Sequence, residues 1–432
     1  MSKTITVFEH QSIKLNQVIG KVEVNSNLLH ALQSYSGEKG VPYFSLIHNG
    51  IKFNEYVGVI QVGSTIIEVL PKADNSISSN ADEEKTITRW RSILIGMLRA
   101  INEIDIFATS NSSLKIKKNS VLYLYFEIFI KEVEYLLHAG LVKKYRKKDG
   151  NLTTMKGKLL FGKNIQHNLV HQERFYVSYP TYDTEHQLHL ILYKTILLIK
   201  NLNSNIELKS RIGSLLLHFP EMPNIKVSAS IFEKLIFNRK TKSYKKAIDI
   251  AKLLLLNFHP DVVSGKNDVL ALMFDMNKLW EKFVFKSLKK FKNQDTIINE
   301  QVTKYFWKPK NGFRSPIIPD IIMKNIKQDI SIVLDTKWKN LNGKNPSPDD
   351  LKQMYVYHNY YEANQVLLIY PGIESFNTGF YLHPKTGSAT ETECSVICLS
   401  VINSNIYEWQ KYIHDFIYKN LNLLSANTLS LV

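Results

Sequence analysis

Two apolar segments that each contain an aspartate constrain the fold of this chain more than any other feature. They read IIPDIIM (residues 317–323) and ISIVLDT (residues 330–336), and a polar turn joins them. Their β-branched residues and the turn predict a β-hairpin, with Asp320 in the middle of the first strand and Asp335 at the end of the second. A buried carboxylate without a partner costs several kcal/mol, so the fold must supply a compensating group.

The residues around these aspartates predict a metal site. Side chains alternate along a strand, so Asp335 and Lys337 share one face while Thr336 points away, and Asp320 can converge with the first two. Adjacent carboxylates repel, and a raised pKa or a bound cation relieves the repulsion; ligands that are all oxygen favour Mg²⁺. Such a site suits phosphodiester hydrolysis, in which the metal activates a water and the lysine offsets charge on the phosphoryl oxygens.

Two flanking helical segments add candidate residues. Gln353 and Tyr357 are four apart in DDLKQMYVYHNYY and therefore neighbours on one helical face, where they are expected to contact the nucleotide or to position the lysine. Upstream, Glu281 lies in the helical pattern MFDMNKLWEKFVFKSLKKF. It is a third candidate metal ligand, and the alternative is a helix residue that faces solvent.

The charge balance favours a polyanionic partner such as DNA. The chain has 55 Lys and Arg against 39 Asp and Glu, a formal net charge of +16. Part of this excess forms a basic run just before the turn signal Asp149-Gly150, and the run is expected to be a protruding hairpin or loop. It predicts contact with nucleic acid or with a protein partner, a solvated charged turn being the alternative. Its members are Lys143, Lys144, Arg146, Lys147 and Lys148.

Several absences narrow the possible functions. Neither G-x-x-x-x-G-K-[ST] nor G-x-G-x-x-G occurs, so a nucleotide-driven motor is expected to be a separate protein. No apolar stretch reaches the ~20 residues of a membrane span, and the N-terminus lacks the apolar core of a signal peptide. Two cysteines, Cys394 and Cys398, are too few for a disulfide framework. We therefore expect a cytoplasmic protein with no membrane association.

The C-terminal pattern resembles a known nuclease core. Pro319-Asp320, Asp335-Thr336-Lys337 and Gln353-x-x-x-Tyr357 together resemble the PD-(D/E)XK nuclease motif with a Q-x-x-x-Y extension. The bare D-x-K occurs often by chance, but the apolar hairpin and the two helical segments make the combination specific. The resemblance implies a mixed sheet flanked by helices and an Mg²⁺-dependent endonuclease that acts on double-stranded DNA.

Further segments, in order along the chain, narrow the resemblance. They are YVGVI (56–60), IEVLPK (67–72), GL (140–141) with Tyr145, KGKL (156–159), and DMN (275–277) before Trp280-Glu281. Together they resemble the McrC family, and the sequence departs from it at DTEHQ (183–187) and in a longer polar insert at 74–84.

The resemblance implies a partner. Members of that family are nuclease subunits of modification-dependent restriction systems, in which a separate AAA+ GTPase of the McrB type recognises DNA. The nuclease subunit binds the GTPase ring and stimulates GTP hydrolysis.

The expected architecture is a multidomain α+β protein. A β-rich N-terminal module spans 1–75, a mainly helical middle with the basic protrusion and a partner-binding role spans 76–262, and a PD-(D/E)XK nuclease domain spans 263–432. Two other functions stay open at this point: a nuclease that acts alone or with a different partner in phage defence or DNA processing, and a regulatory subunit that activates an AAA+ ring and has lost cleavage.

Overall fold

The structure is a computed structural model that describes residues 3–37, 40–72, 83–101, 121–259, 268–327, 329–401 and 405–421. It confirms the predicted α+β class, with several separate sheets and many helices. Most of the polar insert at 74–84 and the predicted boundary at 262/263 lie outside the described residues. None of the helices in the described ranges combines the length and apolarity needed to cross a membrane.

The N-terminal part is β-rich, as predicted, and also contains one helix. That helix begins at an Asn25 cap whose side chain accepts a hydrogen bond from the Leu28 amide. The first strand runs parallel to the last, which pairs antiparallel with the strand before it. The elements are β1 (Lys3–Phe8), β2 (Ser12–Lys14), β3 (Val18–Ile19), β4 (Val22–Glu23), α1 (Ser26–Ser36), β5 (Phe44–Ile47), β6 (Gly50–Phe53), β7 (Tyr56–Val62) and β8 (Thr65–Leu70).

The middle of the chain is mostly helical, and its apolar faces merge into one large buried core. One three-stranded sheet interrupts the helices. The elements are α2 (Glu83–Ile101), α3 (Val121–Ala139), β9 (Lys144–Leu152), β10 (Lys158–Leu159), α4 (Phe161–Asn168), β11 (Phe175–Asp183), α5 (Gln187–Leu202), α6 (Ile206–His218), α7 (Ala229–Glu233) and α8 (Lys245–Leu256).

The basic run is a strand, which corrects the expectation of a hairpin or loop. β9 pairs antiparallel with β11 over its whole length, from Lys144 opposite Asp183 to Leu152 opposite Phe175. The sheet order is β10-β11-β9, so the basic strand lies at an edge, where exposed lysines oppose pairing with other chains. Its partner strand begins 23 residues after β9 ends, so the turn signal at Asp149-Gly150 does not indicate this pairing.

The C-terminal part contains the predicted hairpin in a six-stranded mixed sheet. β17 and β18 pair antiparallel, and β18 and β19 run parallel. The sheet order is β14-β17-β18-β19-β21-β20. The elements are β12 (Phe258–His259), β13 (Val269–Asp275), α9 (Met276–Phe291), β14 (Thr296–Glu300), β15 (Lys304–Trp307), β16 (Ser315–Ile317), β17 (Ile321–Asn325), β18 (Ile330–Thr336), α10 (Pro348–Tyr361), β19 (Gln365–Pro371), β20 (Ser375–Leu382), β21 (Ala389–Leu399) and α11 (Ile406–Asn420).

Both faces of this sheet are covered, because alternate residues of its central strands enter different cores. Leu334 on β18 belongs to the core that contains Trp280 of α9 and Ile413 of α11. Its neighbour Val333 packs on the opposite side with Met354 of α10. The strand is buried on both faces, which explains its continuous apolar sequence.

The N-terminal and C-terminal parts share a sheet. β13 lies in the segment assigned from sequence to the nuclease domain, yet it pairs antiparallel with β7, and the order of that sheet is β1-β8-β7-β13-β12. Gly58 permits this pairing: its φ is +138°, and a Cβ there would lie 2.1 Å from the Leu272 carbonyl oxygen. Because α9 follows β13 directly, the shared sheet fixes the start of the helix that carries Glu281.

A buried glutamate forms a second link between the two parts. Oε1 of Glu9 accepts hydrogen bonds from the Lys72 amide (2.7 Å) and from the Trp338 indole (2.9 Å). Burial raises the pKa of Glu9 to about 7, although both hydrogen bonds act in the opposite direction. Trp338 follows Lys337 directly and packs against Trp90 and Trp280. Glu9 therefore connects the N-terminal module to the residue next to the candidate lysine.

We predict that Glu9→Gln makes stability less dependent on pH. Between about 4.5 and about 7 the folded state keeps a proton that the unfolded state has released, so wild-type stability falls as pH rises through this window, by up to about 1.4 kcal/mol per pH unit. The glutamine cannot ionise. The Tm of the variant relative to wild type should therefore increase between about pH 5 and about pH 7, as measured by thermal unfolding. The exposed Glu23→Gln is the control, and a constant Tm difference for Glu9→Gln would contradict the prediction.

Candidate active site

The two aspartates lie at the same end of the central hairpin. Ile321 pairs with Leu334, so continuing the antiparallel register places Asp320 opposite Asp335. Asp320 precedes β17 instead of lying within a strand, which corrects the sequence expectation. Because Asp320 lies outside the strand pairing, its carboxylate can reach the backbone at the end of β18.

Thr336 contacts Asp320, although strand alternation predicted that it points away from the site. The Thr336 amide and its Oγ1 both donate to Oδ2 of Asp320, at 2.7 Å and 2.8 Å. Alternation does keep Thr336 off the face of Asp335, but it says nothing about a carboxylate on the neighbouring segment. Burial nevertheless raises the pKa of Asp320 above its usual value, against the effect of these two bonds.

Asp335 and Lys337 form a close ion pair. Asp335 is 2% exposed, and Nζ of Lys337 lies 2.7 Å from its Oδ2. Burial, and then repulsion from Asp320, raises the pKa of Asp335 to about 7, while Lys337 opposes the rise. Burial lowers the pKa of Lys337, but the two aspartates outweigh burial and leave it raised.

Gln353 and Tyr357 hold the lysine. Nζ of Lys337 donates to Oε1 of Gln353 (3.1 Å), and Nε2 of Gln353 donates to the Tyr357 hydroxyl (2.8 Å). That hydroxyl donates in turn to the Ile318 carbonyl oxygen (2.9 Å), two residues before Asp320. Tyr357 is 3% exposed. The sequence left two roles open for Gln353 and Tyr357, contact with the nucleotide or positioning of the lysine. These hydrogen bonds fit the second role.

Glu281 is buried near the aspartates but does not join them in one ligand group. Its Oε1 accepts a hydrogen bond from Nε2 of Gln301 (3.0 Å), and the Gln301 amide donates to the Asp320 carbonyl oxygen (3.1 Å). Burial, followed by repulsion from Asp320, raises the pKa of Glu281 to about 7. Because Glu281 is 8% exposed, the solvent-facing alternative is excluded. In the described part of the chain, no three His, Cys, Asp or Glu side chains are arranged to hold a metal ion.

The residues present fit Mg²⁺ as a site with two carboxylates. This ion commonly takes one or two protein carboxylates and fills its remaining positions with water and substrate phosphate. The repulsion between Asp320 and Asp335 is what a cation would relieve, since Lys337 alone does not remove it and the pKa of Asp335 stays raised. Asp320 and Asp335 would hold the ion, with Glu281 beside them.

The basic strand lies outside this site, and its five cations are not equivalent. Arg146 is committed within the fold: its Nε donates to Asp183 (3.1 Å) and its Nη1 to Glu185 (2.8 Å). Lys143, Lys147 and Lys148 are exposed, and Lys144 is half-buried.

Sequence reasoning missed two residues that shape the site, Thr336 and Gln301. Thr336 stands inside the D-x-K pattern and was correctly placed on the face opposite to Asp335, but the Asp320 carboxylate reaches that face from the neighbouring segment. No pattern in the sequence indicated Gln301, because its contact with Glu281 depends on how the end of β14 packs against α9.

Comparisons with known proteins identify a family and a shared fold. A family model described as the McrBC 5-methylcytosine restriction system component matches residues 51–371. No curated protein matches the chain. A solved chain from the tetradecameric assembly of Thermococcus gammatolerans McrB AAA+ hexamers with bound McrC has 18% identity and a TM-score of 0.68, covering 98% of this chain and 100% of that chain. A chain from the T. gammatolerans McrBC complex has 19% identity and a TM-score of 0.46, covering 67% and 88%. The first likeness shows a shared fold.

We predict that Thr336→Val destabilises the protein, because it removes the hydroxyl that bonds Asp320 and keeps the side-chain shape. The free energy of unfolding should fall by about 1.5–3 kcal/mol, the range for a hydrogen bond to a charged group. Thr336→Ser keeps the hydroxyl and should recover most of this loss. Urea unfolding of the three proteins measures the effect, and equal losses in Val and Ser variants would contradict it.

Proposed function

The chain belongs to the McrBC family of restriction-system components, and we propose that it is the nuclease subunit, which cleaves double-stranded DNA with Mg²⁺ when assembled with a McrB-type AAA+ GTPase. The convergence of two buried carboxylates that repel each other, Asp320 and Asp335, with Lys337 at one end of the hairpin carries the proposal. A subunit whose only task is to regulate a ring has no need for two buried carboxylates at one strand end.

The proposed chemistry assigns a task to each residue. Asp320 and Asp335 would hold Mg²⁺, which would supply positive charge to a phosphate and lower the pKa of a water. Thr336 fixes the Asp320 carboxylate through two hydrogen bonds. Lys337 offsets charge that develops on the phosphoryl oxygens, and Gln353 holds its ammonium in place. Tyr357 holds Gln353 and the main chain that leads to Asp320.

The partner is proposed from the family and from an exposed surface of the middle region. The sequence has no phosphate-binding loop, so GTP hydrolysis requires another chain. Helix α4, which follows β10, exposes Phe161 (73%) and Ile165 (63%). Helix α4 is linked to β9 by the Lys163–Asp149 and Asn168–Asn151 hydrogen bonds, and exposed apolar residues next to a basic strand suit a protein partner with an acidic rim. We assign this surface to contact with the GTPase ring and to stimulation of GTP hydrolysis.

We predict that Asp335→Asn abolishes cleavage but preserves assembly. Methylated and unmethylated plasmids are incubated with this chain, its partner GTPase, GTP and Mg²⁺, with each component omitted in turn. Cleavage should require the full mixture and fall at least about 100-fold in the variant, since even outer-shell partners of a metal site cost about 10- to 100-fold. GTP hydrolysis stimulated by the chain should persist.

Asp329→Asn is the matched control, because it makes the same change in the turn at the other end of the hairpin. Cleavage retained by Asp335→Asn would refute the site. Cleavage by wild type without partner and GTP would favour a nuclease acting alone. No cleavage by wild type in any mixture, with GTP hydrolysis still stimulated, would favour the regulatory subunit.

We predict that reversing two exposed charges of β9 weakens partner binding. Lys147→Glu with Lys148→Glu should raise the Kd for the GTPase ring about tenfold, equivalent to about 1.4 kcal/mol, and lower GTPase stimulation in parallel. Arg146 is unsuitable for this test because it holds Asp183 and Glu185. The control changes the exposed Lys240 and Lys242 to Glu. Unchanged Kd in the β9 variant would remove this strand from the interface.

A further inference from the structure

A two-stranded ribbon beside the active site exposes large aromatic side chains. It consists of β15, β16 and the connecting residues 308–314, and it is separate from the six-stranded sheet. Phe313 is 98% exposed, Tyr305 58%, Trp307 56% and Phe306 44%. Four exposed aromatic residues on one short ribbon indicate a binding surface, since single exposed apolar residues are normal but clusters are not.

The same ribbon is strongly basic. Its exposed cations are Lys304, Lys308, Lys310 and Arg314, and no acidic residue occurs from 301 to 319. The Arg314 guanidinium lies 5.8 Å from the centre of the Tyr305 ring, so cation and aromatic surface alternate in space as well as in sequence. The cores of protein interfaces are depleted in lysine, whereas nucleic-acid surfaces combine lysine and arginine with aromatic residues. The composition favours DNA over a protein partner.

The ribbon is fixed to the helix that positions the catalytic lysine. The Tyr360 hydroxyl donates to the Phe306 carbonyl oxygen (3.3 Å). The Tyr361 hydroxyl donates to the carbonyl oxygens of Val302 (2.6 Å), two residues before the ribbon, and of Ile317 (2.9 Å), its last residue. Both tyrosines end α10, the helix of Gln353 and Tyr357. β16 ends at Ile317, three residues before Asp320, so DNA on the ribbon would lie next to the two aspartates.

We propose that this ribbon binds the DNA strand beside the scissile phosphate, with Lys308, Lys310 and Arg314 on phosphates and Trp307 and Phe313 stacked on bases. The proposal deepens the nuclease function above and rests on it. Stacking requires an open base face, which unpaired bases offer and which a side chain inserted between base steps also creates. Both cases offer the same open base face to an aromatic ring. The DNA probes described below distinguish unpaired bases from insertion between paired bases.

Trp307 provides a local optical probe. The other four tryptophans are buried, with Trp90, Trp280, Trp338 and Trp409 between 0% and 8% exposed. DNA stacked on the ribbon should therefore quench the emission of Trp307 selectively. The full chain, made cleavage-inactive by Asp335→Asn, is titrated with a labelled duplex and with the same duplex carrying a central mismatched bubble. Tryptophan emission and label anisotropy are recorded together.

We expect DNA to quench emission and Trp307→Phe to remove most of the quenching while binding persists. Phe313→Ala should weaken binding about tenfold, within the range for one stacked base. Lys308→Ala with Lys310→Ala should reduce the slope of log K against log salt by about 0.9 for each phosphate that the two lysines neutralise. Ile326→Ala and Lys324→Ala, exposed residues at the far end of β17, are controls.

The outcomes separate this proposal from the nuclease function. Stronger quenching by the bubble duplex assigns the aromatics to unpaired bases, and equal quenching assigns them to insertion between base steps. Quenching that survives Trp307→Phe, with binding unchanged in Phe313→Ala, overturns the proposal. Loss of GTPase assembly in Phe313→Ala with intact DNA binding also overturns it and makes the ribbon a protein interface. DNA binding is measured here without cleavage. These results can therefore be interpreted even if the plasmid-cleavage assay shows no nuclease activity.

Discussion

Repulsion between two buried carboxylates is the constraint on which the candidate site depends. Asp320 and Asp335 meet at one end of a hairpin whose strands are otherwise apolar, and the pKa of each is raised. Thr336 stabilises the Asp320 carboxylate through hydrogen bonds, and the Lys337 ammonium pairs with Asp335, yet these partners do not cancel the repulsion between the two aspartates. Such an arrangement is costly for stability alone, but a site that binds a divalent cation and a phosphate requires it.

The surroundings of the site are organised to keep this end of the hairpin rigid. Helix α10 binds Lys337 through Gln353 and the chain before Asp320 through Tyr357. On the opposite side, Glu9 binds the Trp338 indole, which connects the strand end to the N-terminal module. The basic aromatic ribbon is bonded to the end of α10. The N-terminal module and the ribbon are therefore both hydrogen-bonded to elements that hold the site.

The sequence allowed much of the site to be predicted, but less of its immediate surroundings. The apolar hairpin with its aspartates was visible because local periodicity and turn residues specify it. The spacing of Gln353 and Tyr357 was readable for the same reason. The contact of Thr336 with Asp320 was missed because alternation describes one strand and not its neighbour. The basic run was expected to be a hairpin or loop because its partner strand begins 23 residues after β9 ends. The pairing of β13 with β7 was missed because more than 200 residues separate these two strands.

By itself, the sequence determined the α+β class, the family and the residue types of the site, because these depend on local patterning and on residues at short spacing. Only the tertiary structure decided that Gln301 binds Glu281 without bringing it into a ligand group, and that Glu9 bonds Trp338. It alone decided that four aromatic residues remain exposed beside the aspartates. These features depend on pairs of residues distant in sequence, whose approach is set by sheet order and helix packing and not by the properties of either segment.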